Sequence, residues 1–201
     1  MFITFEGIDG VGKSTQLDLL EQYLVSKGHA VVRTMEPGGT ELGREIRHLL
    51  LHRKGDVAPR SEALLYAADR AHHVATLIRP ALAEGKIVLS DRYFDSSVAY
   101  QGAARELSVD EVRDISLWAV DNLIPDLTVL LDLPAADAME RRGKKGTEPD
   151  RLEREQVEFF ERARDEYLMM ADQPRFLVLD AARPAEEIHG EVLQRLAAMG
   201  F

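Results

Sequence analysis

The run Gly7-Ile8-Asp9-Gly10-Val11-Gly12-Lys13-Ser14-Thr15 constrains this chain more than any other segment. It follows Phe2-Ile3-Thr4-Phe5, which reads as a buried strand, and it leads into a stretch of helical period. Strand, glycine-rich loop and helix in that order make a phosphate cradle. The glycines let successive backbone N–H groups wrap around phosphate oxygens, and the helix points its positive N-terminal end at the same charge. Lys13, expected to face solvent in a preformed loop, then reaches the β and γ phosphates, while the Ser14 hydroxyl is offered to Mg²⁺. The pattern predicts a nucleoside triphosphate site over residues 7–15. The bland alternative is a glycine-rich turn with an exposed lysine, which explains neither the strand before it nor the helix after it.

A chain of 201 residues is long enough for one well-buried α/β core and too short for two comfortable domains, so residues 1–201 are read as a single domain. Lys and Arg number 25 against 35 Asp and Glu, and the net charge of -10 opposes unspecific attraction to nucleic acid or an anionic membrane. Any anionic substrate must therefore be captured by locally placed cations. The chain has no cysteine, which removes disulfide frameworks and thiolate metal sites and fits a reducing compartment. No apolar signal segment and no membrane-length stretch is evident, and the expected location is the cytoplasm.

Short apolar runs recur at 2–5, 30–33, 87–89, 127–131 and 176–179, separated by amphipathic stretches. They are too short for helices and rich in Val, Leu and Ile, the pattern of a parallel sheet covered by helices on both faces. Helices are expected from Gly12 to Lys27, from Ser61 to Leu82, after a capping box at Ser108 and Glu111, from Leu152 to Met170 and from Pro184 to Met199. On the fourth, Phe159, Phe160, Ala163, Tyr167 and Met170 share one face. Two segments resist this scheme. Glu36-Pro37-Gly38-Gly39-Thr40 reads as a turn after the second strand, and breakers throughout 142–149 mark a candidate mobile lid near 141–151.

The third apolar run ends in Ser90-Asp91-Arg92-Tyr93. An acid at the carboxyl end of such a strand suits Mg²⁺ held through water, and Asp91 is the metal-side candidate with Ser14. Arg92 beside it suits bidentate phosphate binding, although an Asp-Arg pair that merely fastens strand to helix is common. Asp132 closes another strand in the same way but has only Leu133 and Pro134 beside it, so it ranks second. Arg141, Arg142, Lys144 and Lys145 form a basic cluster in an acidic protein. Such a run is commonly a solvated face, but on a mobile loop it closes cations over a transferring phosphoryl group.

No Asn-Lys-x-Asp or Thr-Lys-x-Asp run that would read a guanine is present. Six collinear motifs instead resemble the bacterial thymidylate kinases: the loop at 7–15, Glu36-Pro37-Gly38-Gly39-Thr40, Tyr66-Ala67-Ala68-Asp69-Arg70, Asp91-Arg92-Tyr93, Ala99-Tyr100-Gln101-Gly102 and Asp150-Arg151-Leu152-Glu153. The resemblance implies a P-loop NTPase fold with a five-stranded parallel sheet, ATP-dependent phosphorylation of dTMP to dTDP with Mg²⁺, and usually a homodimer. It implies that Asp9 contacts the dTMP sugar, that Arg92 binds the acceptor phosphate and that Tyr66 stacks on thymine. Arg70 and Gln101 are implied to line or hydrogen-bond the base, Tyr100 to pack under the deoxyribose, and Ser97 to belong to the same acceptor site. Tyr66 as ordinary core and Gln101 as a helix-end amide are the plain alternatives.

Two departures stand out. Relatives usually carry Arg before the Glu-Pro-Gly-Gly-Thr run, whereas this chain has Met35, so that contact is absent unless Arg33 or Arg47 supplies it. Gly10 stands where one branch of the family has an arginine, which moves the catalytic cation to the lid, where Arg142 and Lys145 are the candidates. Another nucleoside or nucleotide kinase on the same scaffold is the competing enzyme. A non-catalytic nucleotide-binding module is the competing class, and it does not require Lys13, Ser14, Asp91 and Arg92 together.

Overall fold

In a computed structural model, residues 1–53, 55–143, 150–152 and 155–201 are described. Five strands, β1 (Phe2–Glu6), β2 (Val31–Met35), β3 (Ile87–Asp91), β4 (Leu127–Asp132) and β5 (Phe176–Asp180), form one parallel sheet in the order β2-β3-β1-β4-β5. The central strand β1 is buried along its whole length and β4 almost so, while the edge strands β2 and β5 are only partly covered. That gradient explains why the central runs are continuously apolar. The order reverses beside β1, and the loops leaving β1, β3 and β2 meet at the carboxyl edge, where ligands of open α/β sheets bind.

The helices are α1 (Lys13–Ser26), α2 (Glu41–Leu51), α3 (Pro59–His73), α4 (Arg79–Ala83), α5 (Phe94–Ser97), α6 (Val109–Ala119), α7 (Ala135–Gly143), α8 (Val157–Met170) and α9 (Ala185–Ala198). The first expected helix loses one residue at each end and stops before Gly28, whose φ is +85°. The Ser108 hydroxyl accepts from the Glu111 N–H and starts α6 as the capping signal implies. All five residues of the apolar stripe on α8 are buried.

Three expectations are corrected. The single helix over 61–82 begins at Pro59 and is interrupted by a π-helical segment, Val74–Ile78, before α4. Pro80 lies just beyond and has no N–H to give the carbonyl four residues back. The helix expected from Leu152 starts only at Val157, because Arg151 is tied to α2: its N–H and Nε reach the carbonyls of Leu51 and Leu50, and its Nη2 pairs with Glu62. Strand β2 continues past Arg33, since its pairing with β3 runs on to Met35 opposite Asp91. Helix α2 has no counterpart in the sequence reading. The Thr40 hydroxyl caps it by accepting from Gly43 N–H at 2.9 Å, and Ile46, Leu50 and Leu51 form its buried face. No helix among the described residues is long and apolar enough to cross a membrane.

Candidate active site

The glycine-rich loop bridges β1 and α1 as its spacing predicts, and two of its glycines are obligatory. Gly7 has φ +125°, and a Cβ there would lie 2.4 Å from the Leu131 carbonyl oxygen on β4. Gly10 has φ +94°, and a Cβ there would lie 2.2 Å from the Ala138 carbonyl oxygen on α7. The loop is thus pressed between β4 and α7, and no side chain larger than hydrogen fits at Gly10 without moving backbone. An arginine at this position and the present seat of α7 exclude one another.

Lys13 does not face solvent. Its side chain is 7% exposed, and Nζ donates to the carbonyls of Gly7 and Ile8, each at 3.0 Å. The loop turns these carbonyls inward, so the ammonium is bound by the loop itself. Burial lowers the Lys13 pKa, nearby Arg92 lowers it further, and Asp9, Asp91 and Glu6 oppose both. With Gly10, Gly12, Ser14, Thr15, Met35, Asp91 and Arg142 it lines an open cavity above the loop.

A second cavity opens beside it between α2, α3 and the α5 region. Tyr66, Arg70, Ser97, Tyr100 and Gln101 all line it, so the residues assigned to the acceptor do converge. Asp9, Glu36, Arg47 and Arg92 line both cavities and mark their junction. Ile8 and Val11 are buried in the core and line neither cavity.

Arg92 is the hub of that junction. It adopts φ +69°, a left-handed conformation unusual for a side-chain-bearing residue, immediately after β3. Nη2 pairs with Asp9 Oδ1 at 2.6 Å, and Nη1 donates to Gly7 O at 3.0 Å, Ser96 Oγ at 3.1 Å and Tyr167 Oη at 3.2 Å. The guanidinium lies over the Tyr100 ring, 5.1 Å from its centroid. The Asp91–Arg92 fastening pair is therefore not what forms: the carboxylate that Arg92 engages is Asp9. Burial raises the pKa of Asp9, but Arg92, Lys13 and Arg142 outweigh it and hold the group at about 2.

Behind Arg92 sits Glu6, which the sequence reading passed over. Its Oε1 accepts from Tyr93 N–H at 2.7 Å, and its Oε2 accepts from Ser96 Oγ at 2.6 Å and Tyr167 Oη at 2.9 Å. Both hydroxyls also receive Arg92 Nη1. Burial, with Asp95 adding, pushes the Glu6 carboxyl up to about 7 against the opposing pull of Arg92 and the two hydroxyls. The available signal was a carboxylate closing an otherwise apolar strand. Tyr167, read only as part of the α8 stripe, is the other member that periodicity could not distinguish from core.

Arg70 is locked by charge and geometry. Nε pairs with Glu36 Oε2 at 2.6 Å, and Nη2 donates to Ser97 Oγ at 3.1 Å and Tyr93 O at 3.4 Å, which leaves Nη1 buried without a partner in a residue that lines the second cavity. Glu36 is held in turn by His73 Nδ1 at 2.9 Å, whose Nε2 meets Thr34 Oγ1 at 2.6 Å. Tyr66 is both buried and cavity-lining, so its core and binding readings coincide.

The remaining candidates sort clearly. Asp132 is engaged by Arg164 through both oxygens, at 2.7 and 3.1 Å, which removes it as an alternative metal-side acid. Ser14 and Asp91 share the first cavity, and their hard oxygen donors fit Mg²⁺. Among the described residues no cluster of three His, Cys, Asp or Glu could hold a metal alone, so such an ion would depend on phosphate and water oxygens as well. Arg141 donates to the Ala181 carbonyl at 2.7 Å and is committed away from the loop. Arg142 lines the first cavity and lies over the Phe160 ring, 5.6 Å from its centroid. The candidates Lys144 and Lys145, and most of the expected lid, lie outside the described residues.

A family model described as thymidylate kinase matches residues 5–192. The thymidylate kinase of Leifsonia xyli subsp. xyli is 63% identical over 197 residues, covering 98% of this chain and 94% of the relative. That of Clavibacter michiganensis subsp. michiganensis is 59% identical over 201 residues, covering 99% and 95%. Among solved structures, the crystal structure of thymidylate kinase from Ehrlichia chaffeensis aligns with a TM-score of 0.78 at 33% identity and covers 98% of both chains.

Proposed function

The chain belongs to the thymidylate kinase family, and on that premise we propose how its own residues divide the work. It phosphorylates dTMP to dTDP with ATP as donor. The observation that carries the assignment of roles is the junction of two cavities at Asp9, Glu36, Arg47 and Arg92, one floored by the phosphate loop and the other lined by Tyr66, Arg70 and Gln101. ATP phosphates belong in the first and dTMP in the second, with the transferring group passing at the junction.

In this reading the loop N–H groups and Lys13 hold the β and γ phosphates, Lys13 exchanging its loop carbonyls for phosphate oxygens. Arg92 binds the acceptor phosphate and is oriented for it by Asp9, Ser96 and Tyr167. Asp9, kept ionised by its cationic neighbours, faces the sugar beside Tyr100. Tyr66 stacks on thymine, and Arg70 Nη1 is the donor offered to the base edge. Arg142 stands at the mouth of the loop cavity as a described lid cation, with Lys145 as the second candidate. Rate comes from positioning and from charge placed where it develops rather than from covalent chemistry. Ser14 and Asp91 would hold Mg²⁺, which when bound offsets phosphate charge.

Arg47 takes the place left by Met35. Arg33 is committed to Asp18 and Glu21 on the outer face of α1, at 3.2 Å for the second, whereas Arg47 lines both cavities and donates to the Pro37 carbonyl at 2.8 Å. Arg47→Ala is expected to raise the KM for dTMP about tenfold, the worth of one charged hydrogen bond, with the KM for ATP nearly unchanged. Arg33→Ala should alter neither. Steady-state kinetics with each substrate varied checks this, and an unaffected Arg47→Ala would return the position to simple loop packing.

A cytoplasmic homodimer completes the proposal. Leu64 and Trp118, on α3 and α6, are 54% and 80% exposed, an apolar surface suited to a second copy. Sedimentation as a monomer at micromolar concentration would contradict the pairing.

A further inference from the structure

Gln101 and the lid-flanking Arg151 meet on one buried carboxylate. Glu62, on α3, is fully buried, and its Oε1 accepts from Gln101 Nε2 at 3.0 Å and from Arg105 Nε at 3.3 Å, while Oε2 accepts from Arg151 Nη2. A carboxylate between two guanidinium groups is an acceptor only, so the amide of Gln101 has one permitted orientation: nitrogen to Glu62. The carbonyl oxygen of Gln101 is left without a hydrogen bond among the described residues, in a side chain that lines the acceptor cavity. Arg70, in the same lining, keeps its Nη1 buried and unpartnered. The cavity thus has one fixed acceptor in its lining and one unpaired guanidinium N–H buried in its wall.

We infer that Glu62 is a positioning residue for acceptor selection: by taking the Gln101 amide N–H it turns the carbonyl oxygen to the base, so that the site takes a ring that offers an N–H beside a carbonyl. Thymine and uracil do this with N3–H and O4. Cytosine offers the opposite pair, an unprotonated N3 and an amino group, and would set acceptor against acceptor and donor against donor. A free amide could flip to meet it. Glu62 forbids the flip, and buried polar groups left unpaired are what give such sites their large discrimination. The inference rests on the proposed base-binding role of Arg70 and Gln101 and adds the residue that sets its polarity.

Glu62→Gln is the discriminating change. Its single carbonyl oxygen would be claimed by Arg105 and Arg151, so its own amide N–H₂ faces Gln101 and drives the flip. The ratio of kcat/KM for dTMP to that for dCMP should fall at least tenfold, and in a Gln101→Leu background the same change should leave the ratio where Gln101→Leu put it. A folded Glu62→Gln that loses activity toward both acceptors in equal measure overturns the inference, because loss of packing alone does not alter the ratio. If Glu62→Gln does not fold, Glu62→Asp carries the test, because the shorter carboxylate no longer reaches Gln101 Nε2 and frees the amide to flip: a tenfold narrower ratio supports the inference and an unchanged one overturns it. A wild-type enzyme that uses dCMP as well as dTMP defeats the base-site reading itself, which separates that failure from this one.

Discussion

Lys13→Ala is expected to lower phosphoryl transfer to dTMP on the order of a thousandfold or more while the protein stays folded. Lys13 carries the one ammonium bound inside the described phosphate loop, where Gly7 and Ile8 carbonyls hold it within reach of the cavity floor. No neutral side chain replaces that charge on a γ phosphoryl group as negative charge moves toward the bridging oxygen. Stability should change little because two effects oppose. The variant loses two charged hydrogen bonds, but it also relieves an ammonium whose protonation is disfavoured by burial and by Arg92. Turnover of ATP with dTMP, measured beside thermal unfolding, decides the matter. Near wild-type turnover in a folded variant would take Lys13 out of the mechanism.

Arg92→Lys should cost about 1.5 to 3 kcal/mol in kcat/KM for dTMP, a loss of roughly 10- to 150-fold, with the KM for ATP close to unchanged. One nitrogen of the guanidinium serves Gly7, Ser96 and Tyr167 while the other serves Asp9, so the fork is held rigid before an acceptor phosphate arrives. A lysine keeps the charge but is a single flexible point, and it cannot lie flat over the Tyr100 ring. The left-handed backbone at this position is equally awkward for arginine and lysine, so the substitution adds no new strain. Kinetics at varied dTMP and saturating ATP reads the effect, and an unchanged response to dTMP would reduce Arg92 to an internal tie between β3 and the loop.

Much of this architecture is legible in the sequence because its signals are local. The five apolar runs become the five strands, and the spacing of Gly7, Gly12, Lys13 and Ser14 places the loop correctly. The seat of Gly10 against α7 and the left-handed backbone of Arg92 are not local, since each depends on residues more than 80 positions away or on the end of a strand pairing. The exposure expected of Lys13 fails for a related reason: a motif fixes which groups a lysine can reach, but the loop carbonyls decide where it rests. Glu6 at the end of an apolar strand and Glu62 in the first turn of α3 carry no local sign of their roles, and Glu36 reads only as part of a turn, yet each is a buried carboxylate that holds side chains facing the cavities: Glu6 the hydroxyls under Arg92, Glu36 Arg70 and Glu62 Gln101. Met35 shows the reverse. Its departure from the family pattern is visible in sequence, but only the fold distinguishes Arg47, at the junction, from Arg33, on β2 and paired with Asp18 and Glu21 of α1.

The most direct test of the two-cavity account is the specificity constant of the wild-type enzyme for a panel of monophosphates at saturating ATP. With Arg70 Nη1 as donor and the Gln101 carbonyl as acceptor, dTMP should lead and dUMP, which lacks only the methyl group, should follow at a cost of about 1 to 3 kcal/mol. dCMP and dAMP should lie near background, because an unprotonated ring nitrogen beside an amino group leaves both protein groups unpaired, and dGMP, whose N1–H and O6 repeat the thymine pair, should be kept out by the size of its two-ring base. A result that places dCMP or dGMP level with dTMP would contradict the arrangement of the acceptor cavity described above.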